Sequence, residues 1–303
     1  MSTDHGLTGG QIARFASHRP ALGDFLDLPE RTVKPRTAGV THVLDKGLTL
    51  VQLDGMLAAA GAYVDFVKLG WGTAYVSEDV AAKVSHCRAA GVRACIGGTL
   101  LEIAWAQGRM AEYTDWAHGL GIPCVEVSNG SVAMAPAEKR RLIEQLSTEF
   151  EVLAEVGSKT PGPVDAGGWC DEMKRDLDAG ATWLVAEGRE SGTVGLFEPD
   201  GEVRIELVEA IAAAVPVERV IFEAPRRSQQ AVLIGVIGTN VGLGNIEPGE
   251  LLSLETLRRG LRADTIDLAL APRGDGPADA PQTTLDARAT SAVAPSAAST
   301  AHS

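Results

Sequence analysis

The fold is decided by the stretch 123–159, which reads PCVEVSNGSVAMAPAEKRRLIEQLSTEFEVLAEVGSK. Two short apolar runs, 123–127 and 150–156, flank a segment from 136 to 148 in which apolar residues recur at helical spacing. A strand, a helix and a second strand in this order predict two parallel strands joined by a helix on the outside of the sheet.

The same alternation of apolar run and helical segment repeats from residue 40 to residue 261. The apolar runs are 40–44, 64–69, 92–96, 123–127, 150–156, 183–186, 219–222 and 239–243. The helical segments are 50–60, 77–90, 100–120, 136–148, 168–179, 206–214, 229–237 and 248–261. These 222 residues, divided among eight repeats, give about 28 residues each, which suits a compact closed barrel. The sequence therefore predicts an α/β fold, a single (β/α)8 TIM barrel, rather than a doubly wound open sheet.

We expect the barrel to occupy residues 36–268, after an N-terminal extension at 1–35 and before a tail at 269–303. The tail is rich in Ala, Pro, Ser, Thr and Gly and has almost no large apolar side chain, which predicts disorder. No apolar run reaches the roughly 18 residues of a membrane helix, and residues 1–30 contain no signal-peptide core. These features predict a cytoplasmic protein.

The amino-acid composition argues against some binding partners and metal sites for this protein. The 40 Asp and Glu residues against 27 Lys and Arg give a formal net charge of −13, which disfavours binding to nucleic acid or to an anionic membrane surface. The four cysteines form no C-x-x-C pair, and the six histidines form no H-x-x-x-H pair. We therefore expect reduced, buried cysteines and no zinc site.

Polar side chains cluster at the carboxyl ends of the predicted strands, where a parallel barrel has its reactive groups. An acidic residue follows or ends five of these strands: Asp45, Glu126, Glu155, Glu187 and Glu223. Carboxylates that share one barrel mouth repel each other unless cations lie among them. The available cations are a hard divalent ion and the side chains of Lys46, Lys68, Lys159 and Arg189. Mg²⁺ suits this histidine-poor set, and a buried ion-pair network without chemistry is the alternative interpretation.

A second pattern indicates a phosphate-binding site. The sequence VGLGN at 241–245 follows the last predicted strand, where barrels often bind phosphate through backbone N–H groups. Gly244 and Asn245 are therefore candidate substrate-binding residues. Arg226, after the seventh strand, is either a further phosphate ligand or, with Arg227, part of a solvated helix start.

Eight stretches of the chain resemble the phosphosulfolactate synthase family. They are VLDKGL (43–48), VDFVKLGWGT (64–73), GGTLLE (97–102), EVSNG (126–130), LAEVGSK (153–159), AEGRESG (186–192), VIFEAP (220–225) and SLETLRRGLRADT (253–265). They follow one another over residues 43–265, so the resemblance spans nearly all of the predicted barrel. It implies a (β/α)8 barrel that adds sulfite to phosphoenolpyruvate with Mg²⁺, and it implies a homo-oligomer.

The resemblance also implies roles for individual residues. Sulfite would attack C3 of phosphoenolpyruvate, and Lys159 would protonate C2. The other catalytic candidates are Lys46 and Arg189. The substrate-binding candidates are Lys68, Ser128, Asn129, Arg226, Gly244 and Asn245. From their positions at the strand ends rather than from the resemblance, the metal ligands are expected among Glu155 and Glu187 first, and then Asp45, Glu126 and Glu223.

Three other functions fit parts of the pattern. The chain has Asn129 and Ser158 where some archaeal members of the family have an aspartate and a lysine, which motivates an enzyme that adds another nucleophile to phosphoenolpyruvate. A Schiff-base aldolase would use Lys46 or Lys159. A stress-related barrel protein without catalysis is the alternative from a different class.

Overall fold

The computed structural model describes residues 25–158 and 162–271 of the 303-residue chain. Within these residues the strands form a closed parallel barrel in chain order, and the last strand pairs with the first. The strands are β1 (Thr41–Asp45), β2 (Phe66–Leu69), β3 (Arg93–Ile96), β4 (Cys124–Val127), β5 (Glu151–Val156), β6 (Trp183–Ala186), β7 (Val220–Glu223) and β8 (Gly242–Ile246). The predicted (β/α)8 barrel is confirmed.

Helices follow the strands around the outside of the barrel. They are α1 (Leu50–Ala60), α2 (Thr73–Val76), α3 (Val80–Ala89), α4 (Gly98–Ala106), α5 (Met110–Gly119), α6 (Pro136–Leu146), α7 (Ala166–Asp178), α8 (Ile205–Ala214), α9 (Arg227–Ile237), α10 (Leu251–Arg258) and α11 (Asp267–Leu270). Local sequence sets several of these boundaries. Thr49 and Gln52 form a capping box at the start of α1, and Pro136 occupies the first turn of α6, where no backbone donor is required.

Several predicted boundaries differ from the structure by one to three residues, and two of the differences affect the description of the barrel. The segment predicted as one helix over 100–120 is two helices, because the chain turns at Gly108 with a φ of +67° between α4 and α5. The last strand is Gly242–Ile246 rather than 239–243, so that Leu243 pairs with Phe222 and Thr41 in the closed barrel. The described residues up to Leu270 belong to one compact unit, and the predictions for residues 1–24 and 272–303 lie outside the described part of the chain.

The apolar core has two layers, because alternate side chains of each strand point to opposite faces. Outward residues such as Val67, Val125 and Phe222 pack against the helices. Inward residues fill the base of the barrel: Val40, Phe66, Cys95, Cys124, Leu153, Trp183, Val185 and Ile221. Above that base, the inward positions of β2, β4, β5 and β7 carry Lys68, Glu126, Glu155 and Glu223, all buried. The apolar plug therefore supports a polar layer at the carboxyl ends of the strands.

The segment before β1 closes the opposite end of the barrel. Arg36 is ion-paired with the buried Asp65 at 3.3 Å, and a carboxylate oxygen of Asp65 accepts a hydrogen bond from the backbone N–H of Thr41. Arg31 is paired with Glu255 of α10 at 3.2 Å. These contacts stabilise the end of the barrel that lies away from the polar layer. Among the described residues, none of the helices is both long enough and apolar enough to span a membrane.

Candidate active site

A cavity of about 90 Å³ opens at the carboxyl ends of the strands. It is lined by Leu44, Lys68, Gly70, Trp71, Gly97, Gly98, Thr99, Glu126, Glu155, Glu187, Arg189, Glu190, Glu223 and Asn245. Seven of these are residues that the sequence predicted for the site. They come from six different strands or strand-end loops, which meet because the barrel is closed.

The Lys68 ammonium lies between two glutamates. Its Nζ is 2.8 Å from Oε1 of Glu223 and 3.1 Å from Oε2 of Glu126, and all three side chains are buried. Burial acts to lower the pKa of Lys68, but the field of Glu126, Glu223 and Glu155 outweighs it and raises this pKa well above its ordinary value. Lys68 is therefore a fixed positive charge at the centre of the acidic layer.

The surroundings of Glu126 alter the titration of its carboxyl group. Burial raises its pKa to about 7, the Lys68 ammonium opposes that rise, and the neighbouring carboxylates Glu155 and Glu223 add to it. Its Oε1 also accepts a hydrogen bond of 2.8 Å from the backbone N–H of Gly98, at the start of α4. The Lys68 ammonium therefore does not bring the pKa of Glu126 back to the ordinary value of a glutamate.

Three of the carboxylates are close enough to share a metal ion. One oxygen each from Glu126, Glu155 and Glu223 lies within 4.8 Å of the others, and these residues are buried. An all-oxygen set of this kind suits a hard cation such as Mg²⁺. A divalent cation would add its positive charge to that of Lys68 among these carboxylates.

Glu223 and Glu187 shape the loop after β6. Oε2 of Glu223 accepts hydrogen bonds from the backbone N–H groups of Gly188 at 3.1 Å and Arg189 at 2.9 Å. Oε1 of Glu187 accepts from the same Arg189 N–H at 2.7 Å. Arg189 has a φ of +55°, and its N–H lies within hydrogen-bond distance of both carboxylates. Its guanidinium is partly exposed at the cavity wall, beside Glu190.

Two residues of β8, Gly244 and Asn245, were predicted for the site, and Asn245 lines the cavity. Gly244 lies on the inward face, where a Cβ would be 2.9 Å from Cγ2 of Ile221 and 3.1 Å from Nδ1 of His42, so a side chain does not fit. Asn245 lines the cavity with a φ of +56° and is only 4% exposed. Its Oδ1 has no hydrogen-bond partner within the described ranges, which leaves an amide oxygen for a ligand.

Two predicted residues of the β1 loop lie outside the cavity lining. Asp45 points outward, because Leu44 occupies the inward position. Its carboxylate pairs with Lys83 of α3 at 2.8 Å and accepts from the N–H groups of Gly47 and Leu48. Asp45 therefore orders its own loop, and the structure does not bring it to the other carboxylates. Lys46 forms an ion pair with Glu247 at the rim of the barrel.

Three further predicted residues are placed around the cavity or beyond it. The Ser128 hydroxyl donates to Glu102 of α4. Asn129 lines a separate cavity of about 260 Å³ with Gly130, Gly157, Ser158, Trp169 and Glu172. The Arg226 guanidinium donates to the backbone carbonyl of Asp200 at 3.2 Å, away from the cavity lining. Lys159 lies outside the described residues.

Sequence reasoning missed two buried residues that organise the site. Oε2 of Glu102 accepts hydrogen bonds from the backbone N–H groups of Ser131 and Val132, which orders the loop after β4. Lys139 of α6 donates to the carbonyl of Glu155 at 2.7 Å and is paired with Asp176 at 2.8 Å. Glu102 ends the motif GGTLLE and could have been found there. Lys139 lies in a charged helical segment and gives no comparable signal.

Comparisons with known proteins agree with one another. Residues 29–264 match the family described as ComA: (2R)-phospho-3-sulfolactate synthase. The phosphosulfolactate synthase of Methanothermobacter thermautotrophicus is 41% identical over 250 residues, which cover 80% of this chain and 96% of that protein. The Bacillus subtilis protein of the same name is 38% identical over 252 residues, covering 82% and 100%. The Methanocaldococcus jannaschii protein is 42% identical over 234 residues, covering 75% and 93%.

Solved structures support the architecture. The chitinase ChiC from Aspergillus fumigatus has a TM-score of 0.50 and 12% sequence identity, and the match covers 69% of this chain and 91% of that one. At such low identity, the likeness concerns the fold alone.

Proposed function

Because this chain belongs to the phosphosulfolactate synthase family, we propose that it catalyses the addition of sulfite to phosphoenolpyruvate in the cavity at the carboxyl ends of the strands. The observation that most supports this proposal is the family match over residues 29–264, which includes every described residue of that cavity. The proposed substrates are small anions, which agrees with a site built from buried charges rather than an extended basic surface.

The proposed reaction forms one bond and moves one proton. The sulfur of sulfite attacks C3 of phosphoenolpyruvate, and the C2–C3 π electron pair moves toward C2 and the carboxylate. A proton then adds to C2, which gives 2-phospho-3-sulfolactate. The protein has to hold two anions together and stabilise the negative charge that develops at C2.

The positions of the described residues support a different role for each of three side chains in the cavity. The Arg189 guanidinium, on the wall near the rim, is placed to attract the incoming anions. The Asn245 amide supplies a buried hydrogen-bonding group beside them. Lys68 holds the carboxylates of Glu126 and Glu223 together and reduces their repulsion toward the substrates.

Mg²⁺ is the proposed cofactor, with Glu126, Glu155 and Glu223 as the residues that would hold it directly or through water. When bound, it would supply Lewis-acid stabilisation of the substrate carboxylate. The support for this proposal is the buried all-oxygen donor set, in which one oxygen from each of the three carboxylates lies within 4.8 Å of the others. Glu187 is the next candidate ligand, because it lines the same cavity.

Lys159 is the proposed proton donor to C2, on the strength of its position in the motif LAEVGSK. Changing Lys159→Ala should reduce turnover by about 10²–10⁴-fold while the thermal unfolding midpoint stays the same. Lys174→Ala is the matched control, since Lys174 is an exposed lysine of α7 whose contact is a 3.9 Å pair with Asp171. Equal activity of the two variants would contradict the role of Lys159.

Phosphorus NMR tests the reaction itself. The purified protein is incubated with phosphoenolpyruvate, sulfite and Mg²⁺, and the substrate signal is followed over time. We expect a new phosphate-ester signal that appears only when sulfite is present. No sulfite-dependent loss of phosphoenolpyruvate at any Mg²⁺ concentration would refute the proposal, and loss with another nucleophile in place of sulfite would favour the second enzyme hypothesis. Homo-oligomer formation stays a prediction.

A further inference from the structure

The backbone at the cavity mouth contains an unusual concentration of left-handed residues. Among the described residues, three that are not glycine have a positive φ: Trp71 at +54°, Arg189 at +55° and Asn245 at +56°. All three line the same cavity, although Trp71 and Arg189 come from the loops after β2 and β6 and Asn245 lies in β8. Left-handed conformations are unfavourable for L-residues, and such residues are found mainly at functional sites.

Two of the three conformations have a local explanation. Asparagine adopts the left-handed region more readily than other residues with a side chain. Arg189 is held in place by the hydrogen bonds that its N–H donates to Glu187 and Glu223. Tryptophan has a bulky side chain and no special tolerance of this region, so Trp71 is the residue that needs a reason.

The turn around Trp71 favours smaller residues. The backbone N–H of Thr73 donates to the carbonyl of Gly70 at 2.9 Å, and the two central residues, Trp71 and Gly72, both have positive φ. A turn with two left-handed central residues is the type I′ geometry, for which Asn-Gly is the favoured sequence. Trp71 therefore occupies a position where asparagine or glycine would be more stable.

Burial does not explain the tryptophan either. Trp71 is 60% exposed, the only one of the five tryptophans that is classed as exposed, so its ring contributes little to the apolar core. The ring lies 5.5 Å from the Lys46 ammonium, and Trp71 is one of the residues that line the cavity. A large, rigid, apolar side chain thus belongs to the lining of a polar site.

We propose that Trp71 is a substrate-contacting residue whose indole ring covers the bound anion and separates the reacting atoms from bulk water. This inference rests on the proposed function for the identity of the anion, phosphoenolpyruvate. Exclusion of water would strengthen the interactions of the substrate with the charged groups below it and would limit protonation of C2 by solvent. The strained turn is retained because it places the ring.

Steady-state kinetics of three variants test the proposal. Trp71→Asn fits the turn but removes the ring, and we expect its KM for phosphoenolpyruvate to rise by about tenfold or more while its thermal unfolding midpoint stays level or rises. Trp71→Phe keeps an aromatic cover and should stay within about threefold of the unchanged protein. Tyr75→Ala is the matched control, because Tyr75 is 72% exposed, lies four residues away and does not line the cavity.

A binding experiment without turnover supplies a second readout. Phosphoenolpyruvate should protect the tryptophan fluorescence from quenching by acrylamide, and this protection should be absent in Trp71→Phe. If Trp71→Asn keeps the KM and the kcat of the unchanged protein, or if its unfolding midpoint falls along with its activity, the inference is overturned while the proposed function stands. If the unchanged protein has no sulfite-dependent turnover, the proposed function fails instead. If the unchanged protein turns over phosphoenolpyruvate with sulfite but phosphoenolpyruvate gives no protection, the role of Trp71 is overturned and the proposed function stands.

Discussion

The substitution Glu126→Gln should stabilise the metal-free protein at alkaline pH. Glu126 is fully buried among other carboxylates, and these surroundings raise its pKa to about 7 from an ordinary value of 4.5. Glutamine retains an oxygen that can accept from the Gly98 N–H, but it removes the charge. The variant therefore isolates the free-energy cost of ionising one carboxyl group in the acidic layer.

The size and the sign of the effect follow from linkage between proton binding and folding. Each pKa unit is worth about 1.4 kcal/mol, so a rise from 4.5 to about 7 corresponds to about 3 kcal/mol. The folded state holds a proton that the unfolded state releases across this range, so the free energy of unfolding falls as the pH rises. Roughly three quarters of the change lies between pH 5 and pH 8.

Urea unfolding of EDTA-treated protein at pH 5 and pH 8 measures this effect. The stability difference between Glu126→Gln and the unchanged protein should grow by about 2–3 kcal/mol in favour of the variant at the higher pH. Glu209→Gln, on the exposed face of α8, is the control and should show a change below about 0.5 kcal/mol. A Glu126→Gln difference that is the same at both pH values would refute the proposed electrostatics of the acidic layer.

Four further outcomes are expected. Lys68→Met leaves its two glutamate partners without their shared cation and should lower the free energy of unfolding by about 3–5 kcal/mol in urea, with loss of turnover. Asp65→Asn breaks the buried pair with Arg36 at the far end of the barrel; it should destabilise by a similar ~3–5 kcal/mol yet leave the KM for phosphoenolpyruvate unchanged. Lys139→Met removes the donor to the Glu155 carbonyl and should lower kcat more than it raises KM, which steady-state kinetics will show. Treatment with EDTA should abolish turnover, and added Mg²⁺ should restore both the activity and about 2–3 kcal/mol of stability at a concentration near 100 times its Kd.

The types of side chain in the candidate site could be predicted from the sequence, but most of the contacts between them could not. Glutamates at the ends of β4, β5, β6 and β7 were identified because parallel strands in a barrel direct their carboxyl ends to one face. All four line the cavity. Asp45 was predicted for the site for the same reason, since it ends β1. It does not reach the cavity, because its side chain faces outward and that of Leu44 faces inward. The position of a residue at the end of a strand does not show whether its side chain faces into or out of the barrel.

Other features of the site depend on residues that are distant in the chain. Lys68 and Glu223 are separated by 155 positions and form an ion pair only because the closed barrel places β2 and β7 around one lumen. Lys139 had the pattern of a solvated helical lysine, but α6 buries it behind the carbonyl of Glu155. Such contacts are products of barrel closure and helix packing.

The barrel, the order of its strands and the kinds of side chain at its mouth can be predicted from the chain alone, because hydrophobic periodicity and strand polarity are local properties. The folded structure is needed to show which carboxylates share the Lys68 ammonium and that Trp71 lies in a left-handed turn at the cavity. Burial, electrostatic coupling and backbone strain arise between groups that closure of the sheet brings together, and the distances between these groups cannot be read from their positions in the sequence.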